Sequence, residues 1–213
     1  MLYHYILVLC YGSRRIMSKT PSPVRRTLKY IQNYPSSDNI YNHLTKSEGW
    51  FYKTNKQFYA TRDKALICLM YLLALRVSEV LRLRKEQFIK DKDRINVTGI
   101  KLSKSRIKGH DRKEQYRQLN WLPLHGERLK LTKLVLDYLA ISDDQLFKFG
   151  RDRAYRITIS YLGEPCHWLR AYGENFLYDS WEHDLLAVAD YVKVDPRTLQ
   201  NYIRKGFMKY QSV

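Results

Sequence analysis

LALRVSEVLRL, residues 73–83, is the stretch whose reading decides the fold. Its upstream half closes a run from Ala65 to Leu75 that is almost wholly apolar. So many apolar residues exceed one amphipathic stripe, and the run reads as a helix buried on most sides. At Arg76 the pattern changes. Val77, Val80, Leu81 and Leu83 recur near helical spacing, and Ser78 and Glu79 stand at the opening, as a helix start prefers. Two helices therefore meet close to Arg76. Taken alone, Arg76 is a helix-end residue whose aliphatic stem lies on the core.

Downstream, INVTGIKL (95–102) is β-branched and partly alternating, which predicts a strand. YRQLNWLPL (116–124) alternates well enough to be the returning strand. Between them, SKSRIKGHDRKEQ (103–115) is loaded with charge, so the whole predicts a β-hairpin with a long basic tip. Residues 90–118 hold ten Lys/Arg against four Asp/Glu. From Glu127 onward the patterns predict helices over 127–140, 166–178, 181–191 and 196–206. Upstream, Pro21, Pro23, Pro35 and Ser36-Ser37 mark residues 17–60 as a flexible basic lead-in, with one short helix around 24–34. MLYHYILVLCYG makes a poor signal peptide, so residues 1–16 are expected to be an upstream extension outside the fold. The expected class is α+β, mostly helical with a small antiparallel hairpin or sheet, folded from residue 61 to residue 213.

Composition narrows the partners. The 213 residues carry 38 Lys+Arg against 21 Asp+Glu, a formal charge of +17, which favours polyanions and nucleic acid first. At 45% hydrophobic and 14% aromatic the chain has ample material for a core and is not a disordered basic tail. No apolar run approaches the roughly 20 residues needed to cross a bilayer, and no membrane role is expected. Cys10, Cys68 and Cys166 have no metal-ligand spacing, nor do the six histidines. No metal, cofactor or disulfide framework is expected, and the compartment is a reducing one.

Order and spacing then add to what single residues imply. The Arg76-x-x-Glu79 stretch resembles the first motif box of the tyrosine recombinases, the phage-integrase family, in which a buried helix ends in a small residue, an apolar residue and an arginine. His167-Trp168-Leu169-Arg170 resembles the second box of that family, H-x-L-R. A strand–basic turn–strand lies between them, where the family carries its lysine. Tyr202 follows Arg170 by 32 residues, about the family's spacing to its nucleophile. The resemblance covers roughly residues 60–206.

That resemblance implies a DNA strand-cleaving and rejoining enzyme independent of metal and ATP. It makes Arg76 and Arg170 the phosphate clamp, His167 an aid to proton transfer, and Tyr202 the nucleophile that forms a 3′-phosphotyrosyl link. The residue types suit the task. A guanidinium is permanently charged and binds phosphate bidentately, and a phenol with a pKa near 10 needs a positive pocket to attack. The leaving 5′-oxygen needs a proton donor, for which Lys104 fits best and Lys101 second. Lys101, Arg106, Lys108, Arg112 and Arg197 are the expected DNA-backbone contacts. The resemblance further implies double-stranded DNA as partner, a monomer in solution and a homotetramer on paired sites. Integration or excision of a mobile element, viral or plasmid, in a prokaryotic cytoplasm is the expected setting.

The chain departs from the family pattern at two positions. Ala74 stands where a glycine is usual two residues before the first arginine, and Lys193 where histidine or tryptophan is usual nine residues before the tyrosine. A separate helical DNA-binding domain, common ahead of the family's catalytic one, is expected to be truncated or absent within 17–60. A rival reading uses the same C-terminal residues. LLAVADYVKVDPRTLQNYIRKG (185–206) also reads as a helix-turn-helix with Asp195 as N-cap and Pro196 at the first helical position, which would make the chain a non-catalytic DNA-binding regulator.

Overall fold

The computed structural model describes residues 35–46, 52–102, 115–117 and 120–207. The architecture is mostly helical with two small antiparallel sheets. Its centre is helix α2 (Lys56–Leu72), where the continuous apolar run does what its composition dictates. From Ala65 to Leu72 every residue is buried, because α4 (Leu129–Ile141) packs along one side and α6 (Cys166–Ser180) along another. Helix α1 (Ser37–Lys46) seats Ile40 and Leu44, one turn apart, on this core, and Ser37 hydrogen-bonds the Tyr71 hydroxyl at 3.2 Å. Residues 37–46 fall within the expected flexible lead-in. They are instead helical and packed, because their two apolar residues find the core. The expected helix around 24–34 and the upstream extension lie outside the described residues.

After α2 the chain turns through Leu73–Leu75 into the short helix α3 (Val77–Val80). A 3-10 turn (Lys85–Gln87) leads into β1 (Phe88–Lys90), which pairs with β2 (Arg94–Val97), itself paired with β5 (Asn120–Pro123). Strand β3 (Ile100–Lys101) pairs separately with β4 (Tyr116–Arg117), with Ile100 opposite Arg117 and Lys101 opposite Tyr116. The expected hairpin is present but broken in two. At Thr98–Gly99 the backbone turns through φ +64° at Gly99, and Gln87 Nε2 donates to the Thr98 and Gly99 carbonyls at 2.7 and 2.9 Å. The hairpin tip lies outside the described residues.

Helix α5 (Arg151–Leu162) was not expected. Its β-branched and aromatic residues favour strand on propensity, yet Ala154, Ile157, Thr158 and Tyr161 lie at helical spacing and form its buried face. The helix predicted over 181–191 starts later, as α7 (Leu185–Val192). Glu182 and His183 both take left-handed backbone, and Asp184 then caps the helix by accepting from the Ala187 N–H at 2.9 Å. Helix α8 (Pro196–Phe207) follows, with the Asp195 carboxylate accepting from the Arg197 N–H at 2.8 Å. Helices α7 and α8 share a smaller apolar cluster with Ala74 and Leu177. Among the described residues no helix is long and apolar enough to cross a membrane, and Cys68 and Cys166 are buried free thiols.

One close contact sets the position of the site. Gly173 on α6 lies against the end of α2 so tightly that a Cβ there would stand 2.2 Å from the Tyr71 carbonyl oxygen. Beside it, Ala74 adopts φ +46°, the left-handed conformation that favours glycine. Gly173→Ala should therefore lower stability by about 1–3 kcal/mol or more through overpacking against backbone. Ala74→Gly should raise it by up to about 1 kcal/mol by relieving the left-handed strain. Urea denaturation of both variants tests the geometry, and a neutral Gly173→Ala would contradict it.

Candidate active site

The turn between α2 and α3 presents Arg76 at the N-cap of α3 in extended backbone. Three residues on, Glu79 folds its carboxylate back. It accepts from the Arg76 N–H at 2.8 Å and from Arg76 Nη1 at 2.9 Å. The reach-back from the third helical position satisfies an N-terminal donor that the helix leaves unpaired. Glu79 is 1% exposed, whereas the Arg76 side chain is 40% exposed and opens to solvent.

Arg170 reaches the same carboxylate from α6. Its Nε donates to Glu174 Oε1 at 2.6 Å, one turn further along, and its Nη1 stands 4.0 Å from Glu79 Oε2 without a hydrogen bond. The two arginines singled out from the sequence therefore converge on one buried acid. His167, one turn before Arg170, stands at the surface of α6, but its ring is tilted against Trp168 and so is only partly open to solvent. Partial burial pushes its pKa below the ordinary histidine value, so the neutral imidazole dominates at neutral pH.

The sequence patterns did not single out Arg117 and Arg128. Arg117 is 1% exposed on β4. It donates from Nη1 to the Leu73 carbonyl at 3.0 Å, from Nη2 to the Ala74 carbonyl at 3.3 Å, and from Nη2 to Glu79 at 3.4 Å. Arg128, half-buried over the Phe176 ring, donates to the Leu72 carbonyl. The buried positions of the returning strand change parity between Arg117 and Asn120, so strict alternation assigns Arg117 to the outward face.

Charge governs this cluster. Burial alone would raise the Glu79 pKa, but Arg117, the Arg76 N–H and Arg170 together hold it below the ordinary glutamate value. Burial brings Arg117 down to about 10 against the pull of Glu79, which leaves it charged at neutral pH. Among the described residues, Arg76, Arg117 and Arg170 face Glu79 and Glu174, an excess of one positive charge. An anion such as a phosphodiester would balance it.

The other expected site residues divide. Lys101 lies half-buried on β3. Lys104, Arg106, Lys108 and Arg112 lie outside the described residues. Lys193 ends α7 in left-handed backbone, with its Nζ 2.6 Å from Asp190 Oδ1. Arg197 is exposed at the start of α8. Residue 202 falls on α8, but the tyrosine side chain lies outside the described part. Tyr191, on α7, is engaged by its neighbours. Its ring is edge-on to Trp121 and Trp181, burial raises its pKa, and its hydroxyl accepts from the Trp121 N–H at 3.4 Å. No group of His, Cys, Asp and Glu among the described residues could hold a metal ion.

No known protein-family model matches the chain, and no curated protein matches it either. Solved structures do. The fold is similar to XerH site-specific recombinase bound to palindromic difH substrate in a post-cleavage complex, at TM-score 0.61 and 17% identity over 82% of this chain and 49% of that one. It is similar also to XerH bound to difH substrate in a pre-cleavage complex, at TM-score 0.59 and 17% identity over 83% of this chain and 51% of that one. The chain spans about half the length of these structures. Its fold is similar to that of tyrosine recombinase catalytic domains.

The buried acid gives a pH-dependent signature. A carboxylate whose pKa is depressed on folding stabilises above its unfolded pKa and loses that contribution as pH falls through the folded value. At pH 7, Glu79→Gln should cost about 3 kcal/mol, since it strands buried arginines. The gap between wild type and variant should close as pH falls below about 4. Thermal melts across this range test it, and a gap independent of pH would contradict the ionised-hub reading.

Proposed function

We propose that the chain is a site-specific DNA recombinase of the tyrosine type. The observation that carries this reading is the convergence of Arg76, from the α2–α3 turn, and Arg170, from α6, on one buried glutamate in a recombinase-like fold. The reading extends to residues outside the described part, which the motif spacing supplies.

In this reading the scissile phosphate of double-stranded DNA rests on the Arg76 and Arg170 guanidiniums, which hold charge developing on its non-bridging oxygens. The Tyr202 oxygen attacks phosphorus while the bond to the 5′-oxygen breaks. The product is a 3′-phosphotyrosine and a free 5′-hydroxyl. Lys104, with Lys101 second, gives the proton to the departing oxygen, and His167 assists proton transfer as a neutral imidazole that takes up the proton lost by the Tyr202 phenol. Lys193 would donate to a phosphate oxygen once released from Asp190. A 5′-hydroxyl from a second strand reverses the step, so neither metal nor ATP is consumed. Lys101, Arg106, Lys108, Arg112 and Arg197 hold the DNA backbone. A homotetramer on paired sites, assembled from monomers, and a role in integrating or excising a mobile element in a prokaryotic cytoplasm complete the proposal. The catalytic domain would comprise residues 61–213, with α1 packed into the same core and α2 starting upstream at Lys56.

The α7–α8 pair with its Asp195 cap also fits the rival, a helix-turn-helix regulator. A nicked suicide duplex separates the two. The wild-type chain should accumulate a covalent protein–DNA adduct, and Tyr202→Phe should abolish it while DNA binding stays near normal. Arg76→Lys and Arg170→Lys should slow cleavage by about 100-fold or more, because lysine keeps the charge and loses the fork. Tight sequence-specific binding without any adduct would establish the regulator instead.

A further inference from the structure

We infer that Arg117 is a positioning residue, one that sets the attack geometry of Arg76 without touching the DNA; this rests on the recombinase reading above. The end of α2 is the place where Arg76 is aimed, and it is intrinsically poorly determined. The last carbonyls of a helix have no donor from the chain ahead. Here the backbone also passes through left-handed Ala74 two residues before Arg76. A turn of this kind has competing conformations of similar energy unless other groups decide among them.

Arg117 decides among them from both sides. It holds the Leu73 and Ala74 carbonyls upstream of Arg76 and the Glu79 carboxylate downstream, and Glu79 in turn grips the Arg76 backbone and guanidinium. One planar guanidinium spanning two carbonyls and a carboxylate is a task that lysine cannot copy, since an ammonium offers no fixed fork. At 1% exposure Arg117 has no surface left for a phosphate, so its effect must pass through Arg76. Its strand also pairs with Lys101 and Ile100, so it fixes the hairpin base and the Arg76 turn as one unit. A displacement of about 1 Å in such a support is enough to cost about 100-fold in rate.

The test is single-turnover cleavage of a nicked duplex at saturating protein, with DNA affinity and thermal stability measured alongside. Arg117→Lys should slow cleavage by about 100-fold with affinity little changed. Placed in an Arg76→Lys background, the same substitution should slow cleavage hardly further while still lowering the melting temperature, because its effect on rate runs through Arg76. Arg117→Met, which leaves Glu79 paired with Arg76, serves where the lysine variant does not fold. Cleavage near the wild-type rate in a folded variant would overturn the assignment, as would equal fold-losses in the two backgrounds. Failure of both variants to fold would also overturn it, in favour of a purely structural role. A wild-type chain that forms no adduct overturns the recombinase reading and this assignment with it, whereas these variant results with an active wild type overturn this assignment alone.

Discussion

A single buried carboxylate organises this protein. Glu79 is the third residue of a four-residue helix, yet arginines from the α2–α3 turn, a hairpin strand and α6 all turn toward it. Removing that many charges from water is expensive, and such clusters seldom add net stability. What they add is specificity, since any misplacement leaves a buried charge without a partner. The cluster therefore reads as a device for holding Arg76 and Arg170 in one relation, at the cost of stability that the apolar α2 core supplies.

The rest of the fold makes that relation reachable. Helix α2 must end where α6 can touch it, which Gly173 permits by exposing bare backbone to the Tyr71 carbonyl. The chain must then reverse quickly enough to start α3, which Ala74 accomplishes in a backbone region better suited to glycine. The freed carbonyls of Leu72, Leu73 and Ala74 are met by Arg128 and Arg117. Core packing, backbone strain and charge thus meet in the space of five residues. Among the described residues this leaves an excess of one positive charge at the cluster.

Much of this was legible in the sequence because it is written locally. An all-apolar run has only one place to go, and a helix start after Arg76 follows from Ser78, Glu79 and the spacing of Val77, Val80 and Leu81. The convergence of Arg76 and Arg170 was legible only through motif order, since nearly a hundred residues part them. Three things were hidden. Arg117 was hidden because its strand changes face between 117 and 120, so alternation points it outward. Helix α5 was hidden because Ile157, Thr158 and Ile159 favour strand by propensity, and tertiary burial of the 154–157–158–161 face overrides it. Helix α1 was hidden because two apolar residues in a polar, proline-flanked segment carry little signal until the α2 surface is there to receive them.

In the proposed reading, one buried glutamate assembles two arginines into a single phosphate site. A crystal structure of the chain on a nicked duplex carrying its cleavage site tests this most directly. The account predicts that the Arg76 and Arg170 guanidiniums both lie within hydrogen-bond distance of non-bridging oxygens of the same phosphate, with Glu79 still gripping Arg76 from behind. A scissile phosphate held by one of them alone, or seated elsewhere on the protein, would contradict it.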